Sequence, residues 1–513
     1  MTAHASPDRS WPTWGRPMSM AVLVFLMVAG VELAHFTLSI DEEISAVDAN
    51  PPAVWLAQGR WGMEAINLLL PDYQSIPVLS TLLFGVGLLY ATWCGLRDFR
   101  LRGQSAEAYA VIHAGFPLWL HIAEFNTFAA GFGIGIATAA AGSGLAVCAT
   151  GWRQRAAAAA LVGAAIAVYQ TLALYALLYA CFALLATNED SPSTSVADRA
   201  RALLRRAIPV AATMLAGVAI YWLVQRAATW AFRVPGTYID YYWRVDQLQR
   251  DPGGTLAAAM RALGEYLGGR QELYLGHGPG ILALTWCGLL PLAAMAGDRS
   301  HASNQRYLLT LVGTLAGLIL LTGPLVLSAA KLPIRSHIVW PLLAAWLASR
   351  VDLSAAPRWR LLPSIALAYF AIVACSIGAM LFHTEQAVRD ADAAFAQRLT
   401  PAIFEAAQPG ARRPIAFTLA GTHAFPAGGQ LRRAGVFGSS FFEHDGGNVR
   451  RVALYLRTQG VDGLLPVWLG NRPDLIPAAR AMPVWPAPGS IRLVNGVVIV
   501  KIGPPTPQQL APG

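Results

Sequence analysis

Charge is scarce in this chain. Only 13% of its 513 residues are Asp, Glu, Lys or Arg, while 55% are hydrophobic. A soluble domain keeps roughly a quarter of its residues charged, so the shortage excludes an ordinary water-soluble fold. Cysteine is sparse too. Cys94, Cys148, Cys181, Cys287 and Cys375 all lie within apolar runs, which leaves no basis for a disulfide framework or a cysteine metal site. There is no P-loop, Rossmann fingerprint, zinc motif, internal repeat or low-complexity tract. Without a P-loop, an ATP-driven pump is disfavoured. The net charge of +9 comes mostly from arginines in short loops between apolar runs. It reports membrane orientation, not nucleic-acid binding.

Long apolar runs are what the chain has in abundance. Residues 18–38, 76–96, 207–228, 307–329 and 361–382 are each long enough to cross a bilayer as a helix. The first run is too long for a signal peptide, and no small-residue cleavage site leads from it into soluble sequence, so it reads as a retained helix. Arginines cluster at 97–102, 153–155, 199–206, 298–306 and 350–360, which makes those loops cytoplasmic. The 39–75 loop has one Arg against six acids and faces outside. The stretch 156–187 has basic loops at both ends, so it crosses an even number of times. Two short helices meeting near Tyr169-Gln170 satisfy this; the alternative is one long, kinked helix. The expected fold is mainly α: a polytopic helical membrane protein with about eleven transmembrane helices and a small C-terminal α/β periplasmic domain. The N-terminus is inside and the C-terminus outside, with a transmembrane domain over 1–382 and the outer domain over 383–513.

Local signals fill in the outer regions. Pro51-Pro52 can start a helix, and 53–70 reads as a helix lying in the membrane interface. Tyr238, Tyr241, Tyr242 and Trp243 in the 229–277 loop read as an interfacial aromatic belt, or as sugar-stacking faces. In the last region, 384–407 is an amphipathic helix with Val388, Phe395, Leu399 and Ile403 on one side. Residues 414–419 form a strand, and Asn448 caps a helix ending at Gly460. Asn495-Gly496 joins two strands in a hairpin.

Four groups can carry chemistry. Asp41, Glu42 and Glu43 follow the first helix. Mutual repulsion and partial desolvation raise the pKa of at least one toward the range of a general base, although acids there are also common solvated loop residues. Arg60, between Gly59 and Trp61, offers a planar fork for a phosphate, or pairs with Glu64 within one helix. Lys331, Arg335 and His337 lie in a short outer loop that makes an anion site, or else snorkel to headgroups. Glu124, with His121 one turn before it, closes the third helix; it lines a cavity or bonds a neighbouring helix. An acidic cluster can hold a divalent ion, but no spacing here demands one, and no cofactor is required.

In this order, these residues resemble the serotype-converting O-antigen glucosyl transferase family (Gtr type II) of GT-C-class membrane enzymes. The resemblance is carried by Asp41-Glu42, Gly59-Arg60-Trp61, Tyr169-Gln170, Pro333 with Arg335, and then by C-terminal motifs. Those motifs are Gly438-Ser439-Ser440-Phe441-Phe442, Gly446-Gly447-Asn448-Val449-Arg450-Arg451 and the run from Met482 through Trp485-Pro486 to Gly489-Ser490. One departure is that the family's acidic pair is expected to be two aspartates. The resemblance implies a polyprenyl-phosphate-linked glucose donor and a lipid-linked O-antigen acceptor, joined on the periplasmic side of the bacterial inner membrane. Asp41 or Glu42 would take the acceptor proton, while Arg60, Arg335 and Lys331 would bind the donor phosphate. Glu43, Trp61, Glu64, Glu124, Tyr169, Gln170 and His337 would be candidates for substrate binding. The competing classes are a transporter or flippase, a transferase moving mannose, arabinose or phosphoethanolamine, and a non-catalytic scaffold.

Overall fold

The computed structural model describes residues 15–47, 52–70, 78–189, 196–234, 242–290, 301–351, 361–407, 414–425 and 431–512. Tyr238 and Tyr241 lie outside them. The chain is mostly helical, with a small C-terminal sheet. Helix α1 is Arg16–Ala34. Three short helices follow: α2 Glu42–Val47, α3 Pro52–Ala57 and α4 Trp61–Leu69. The bundle continues with α5 Leu79–Asp98, α6 Gly103–Gly115, α7 Leu120–Ala123, α8 Asn126–Cys148, α9 Trp152–Val168, α10 Leu172–Glu189 and α11 Val196–Phe232. Then come α12 Val245–Arg250, α13 Pro252–Leu267, α14 Gly278–Cys287, α15 His301–Leu327, α16 Val339–Ala348 and α17 Leu362–Ala406. Among the described residues, six helices are long and apolar enough to cross a membrane; Leu172–Thr187, Gly278–Cys287 and Val339–Ala348 are apolar but shorter.

Close helix contacts fix the bundle. Helices α5 and α8 touch at matching heights: Ser80 meets Asn126, and a Cβ added at Gly87 would lie 2.0 Å from the Gly133 carbonyl oxygen. Only glycine allows that backbone approach. At the far end of this pair, a Cβ on Gly144 would strike the Asp98 carboxylate, and Tyr179 of α10 donates to Asp98 at 2.7 Å. Phe182 stacks on Trp346 there at 4.3 Å, and the Arg350 guanidinium covers Trp346. These ends therefore adjoin the arginine-bearing turns at 97–102 and 350. Opposite them, α9 ends and α10 begins across Tyr169–Gln170–Thr171, the break that two short helices require.

Two sequence expectations change. The 53–70 helix is broken into α3 and α4, because Gly59 takes φ 73°. The freed carbonyls are met by side chains distant in sequence. Gln170 Nε2 donates to Gln58 O (2.6 Å) and Gly59 O (3.0 Å), and Tyr221 Oη donates to Gly59 O at 3.0 Å. The amphipathic 384–407 segment is no separate helix but the end of α17, where Val388, Phe395, Leu399 and Ile403 are buried.

The last region forms a four-stranded sheet, ordered β2-β1-β4-β3, from β1 Ile415–Ala420, β2 Leu464–Pro466, β3 Ile491–Val494 and β4 Val497–Lys501. Asn495 and Gly496 both have positive φ, as the tight turn between β3 and β4 demands. Strand β4 is buried along its length. Its alternate side chains serve two cores: Val498 and Val500 pack with the end of α17, Val497 and Ile499 with Leu469 and Met482. Helix α18, Val449–Thr458, is capped by Asn448, which accepts from the Arg450 N–H. Ile40, from the loop after α1, is buried in the first of these cores.

Candidate active site

The first loop turns at Asp41, which adopts φ 78°. That turn splits three consecutive acids between two sides of the loop. Asp41 Oδ1 and Glu43 Oε1 each receive a 2.6 Å bond from Arg451. Glu42 points the other way, into the bundle, where Ser39 N–H donates to Oε2 at 2.8 Å and Asn126 N–H donates to Oε1. Burial pushes the Glu42 carboxyl up to about 8, opposed by those backbone bonds. Glu43 is also raised by burial, with Arg451 pulling it back.

Glu42 belongs to a buried carboxylate knot. Asn126 Nδ2 donates to Glu32 Oε1 at 3.1 Å, and Ser39 Oγ donates to Glu124 Oε1 at 3.4 Å. Ser39 therefore bridges Glu42 and Glu124. Glu385 of α17 bears electrostatically on both and is itself held by Arg389 and the Gly438 N–H. Glu124 is pushed well above the carboxylate range by burial and by Glu385, with Arg335 opposing. Its Oε2 is buried without a hydrogen-bond partner. An uncompensated oxygen of this kind is costly to maintain, and such sites concentrate function.

Glu124 also lines a polar cleft of about 300 Å³, with His121, Glu265, Glu272, Arg335 and His337. The Arg335 guanidinium lies 4.6 Å over the Phe125 ring, a cation–π seat that aims a planar fork at the cleft wall. His337 is packed on Tyr266 at 5.0 Å. Burial lowers it to about 4, so at neutral pH it is a neutral imidazole and not a third cation. Lys331 is exposed and lines neither this cleft nor the cavity beside it.

That second cavity is larger, about 560 Å³, and mostly apolar. Leu320, Leu327, Tyr221 and Trp243 form much of its wall, which gives Tyr242 and Trp243 a place beside a cavity. Arg60, Tyr169 and Gln170 stand on its polar side. The Arg60 guanidinium lies 4.8 Å from the Tyr169 ring and 5.5 Å from Phe128. Leu332 borders both cavities, and Tyr169 Oη bonds Ser336 Oγ at 2.9 Å across the turn that carries Arg335. Trp61 Nε1 donates to the Tyr221 carbonyl at 3.3 Å. Glu64 lies in the first turn of α4, with Oε2 buried and without a hydrogen-bond partner.

The structure thus joins Glu42 to Glu124, Glu124 to Arg335, and the Arg335 turn to Tyr169 and Arg60. It sets Asp41 and Glu43 on Arg451 and leaves Lys331 outside. Sequence reasoning missed Glu32, Ser39 and Glu385; an acid inside the apolar α1 was the available signal for Glu32. Among the described residues, no group of three His, Cys, Asp or Glu side chains is placed to hold a metal ion.

No curated protein and no solved structure matches the chain. A family model described as Glucosyl transferase GtrII matches residues 30–348, from within α1 to the end of α16. The C-terminal motifs lie beyond that range, but it spans more than half the chain and includes Glu42, Arg60, Glu124, Tyr169 and Arg335. This membrane-helix protein, with its buried carboxylates beside paired polar and apolar cavities, belongs to the GtrII glucosyl transferase family.

Proposed function

We propose that the protein transfers glucose from a polyprenyl-phosphate donor to a lipid-linked O-antigen saccharide on the periplasmic side of the bacterial inner membrane. The observation that carries this reading is the pair of cavities divided by Leu332. An amphipathic donor suits them: its prenyl chain takes the apolar cavity, its phosphate lies between Arg60 and Arg335, and its sugar enters the polar cleft. The acceptor hydroxyl oxygen forms a bond to the anomeric carbon as the bond from that carbon to the phosphate oxygen breaks. The hydroxyl proton passes to Glu124, the cleft-facing member of the Glu42–Ser39–Glu124 group, once that carboxyl has released to solvent the proton that burial holds on it, an ionisation the neighbouring Arg335 charge favours. Prenyl phosphate departs with the electron pair, and the two guanidinium groups stabilise its charge where water is scarce. Of the first-loop acids, Glu42 supports proton transfer, while Asp41 and Glu43 are occupied by Arg451.

Orientation and crossing number belong to the same proposal. Eleven passes, with residues 383–513 outside as a separate domain, need the six long and three shorter apolar helices together with α6 and α9. The arginine-bearing turns near Asp98 and Trp346 lie opposite the cleft, as the excess of positive charge on cytoplasmic loops expects. The test is mass and linkage analysis of surface glycan from cells with and without the gene. Loss of one glucose branch is expected; an unchanged glycan overturns the reading.

A further inference from the structure

Arg451 binds three carboxylates at once. Its Nη2, Nη1 and Nε lie 2.6 Å from Asp41 Oδ1, Glu43 Oε1 and Asp445 Oδ2 respectively. Two of these acids come from the first loop and one from the turn that precedes α18. The same two ends of the fork grip unusual backbone: Asp41 has φ 78° and Asp445 φ 50°. Left-handed aspartates persist only where their surroundings hold them. Glu43 has no exposed side-chain surface, and a buried carboxylate stripped of its cation is strongly disfavoured where it sits. Asp445 is also approached by His444 Nε2 at 3.4 Å.

We infer that Arg451 is a positioning residue for sugar transfer, through which the C-terminal domain sets the first loop so that Glu42 and Ser39 hold Glu124 at the cleft. The inference rests on the proposed reaction. Arg451 does not line the polar cleft; it acts through the loop. Without it, Asp41, Glu43 and Asp445 repel one another and α2 swings off α18. Glu42 moves with α2, and the Ser39 bridge to Glu124 opens. Its planar fork suits this task, because lysine cannot address three carboxylates in fixed directions.

The experiment uses the full chain in lipid nanodiscs, with a short-chain prenyl-phosphate glucose and a lipid-linked saccharide acceptor. Arg451→Ala should lower kcat roughly 100-fold, the scale of a catalytic group displaced by about 1 Å, with the donor KM changed less than about threefold. Hydrogen exchange over residues 36–47 should quicken in Arg451→Ala and Arg451→Lys. In an Asp41→Asn/Glu43→Gln background, itself slow, adding Arg451→Ala should change kcat less than about threefold, because the contact it serves is already gone. Arg457→Ala, on the exposed side of the same helix, is the control and should leave kcat near wild type. If Arg451→Ala fails to fold, the lysine variant and the acid double variant carry the same test. A wild-type kcat in Arg451→Lys, unchanged exchange over 36–47, or a full additional loss in the double-variant background overturns the inference. Full turnover in Glu124→Gln would instead remove the underlying reaction reading, and the exchange result would still stand or fall separately.

Discussion

Replacing Glu124 by Gln separates proton transfer from folding. Its Oε1 accepts one long bond, 3.4 Å, from Ser39 Oγ, which an amide oxygen can keep. Its Oε2 is buried with no partner, so the incoming NH₂ meets no opposing donor there. The change in stability should stay within about 1 kcal/mol, since no satisfied group loses its partner. Losing a general base costs roughly 10²–10⁴ in rate, or about 2.7–5.5 kcal/mol of barrier. Glu42→Gln behaves differently. Both Glu42 oxygens receive backbone N–H groups, from Ser39 and Asn126. The amide must turn its NH₂ toward one of them, which strands a buried donor at about 1–3 kcal/mol. Initial rates with prenyl-phosphate glucose, measured beside thermal unfolding, distinguish the two. Glu124→Gln should lose activity at an unchanged Tm, while Glu42→Gln should lose both. Turnover by Glu124→Gln above about a fifth of wild type would refute Glu124 as the proton acceptor, since general bases contribute at least about 100-fold.

Arg60→Ala and Arg335→Ala should each weaken use of the donor about 10–100-fold in kcat/KM, the range for losing a charge-assisted bond of about 1.5–3 kcal/mol. Wild-type kcat/KM in both variants would remove the phosphate assignment. Gly87→Ala should lower the yield of folded protein sharply, because the new methyl would sit 2.0 Å from the Gly133 carbonyl; normal expression and Tm would contradict the helix contact. Stability should also depend on pH through Glu42. Its carboxyl sits near 8 in the folded protein against an ordinary 4.5, so the folded state holds the extra proton between those values. This contribution is full below about pH 4.5 and is lost as pH rises through about 8. Tm should therefore fall across that window in wild type and fall less in Glu42→Gln.

Much of the fold was legible because its causes are local or periodic. Apolar runs give helices, and the two short helices read within 156–187 are separated at Tyr169–Thr171. Asn448 and Asn495-Gly496 act through their own backbone. The misses share a different cause. The break at Gly59 is stabilised by Gln170 and Tyr221, each more than a hundred residues away in sequence, so no local pattern announces it. Lys331 and Arg335 read as one cationic loop, yet the 3₁₀ turn Ile334–Ser336 sends Arg335 inward and leaves Lys331 outside. Glu385 falls in the segment read as an amphipathic helix without being singled out, and its burial follows from the docking of the distant Gly438 loop.

The limits of the family match sharpen the chemical argument. Under the proposed reading, every group assigned to proton or phosphate chemistry falls within the matched residues 30–348: Glu42, Glu124, Arg60 and Arg335. Three groups that brace them come from beyond it. Glu385 borders the carboxylate knot, Gly435 forms part of the cleft wall and donates to Glu272 at 3.3 Å, and Arg451 pins the first loop. Transfer from a common type of lipid donor needs the same reacting groups whatever the acceptor. Under the proposed reading, a helical portion that carries the transfer, braced by a C-terminal portion through Glu385 and Arg451, keeps those groups in place. It also explains why one guanidinium should join two parts of the chain about four hundred residues apart in sequence.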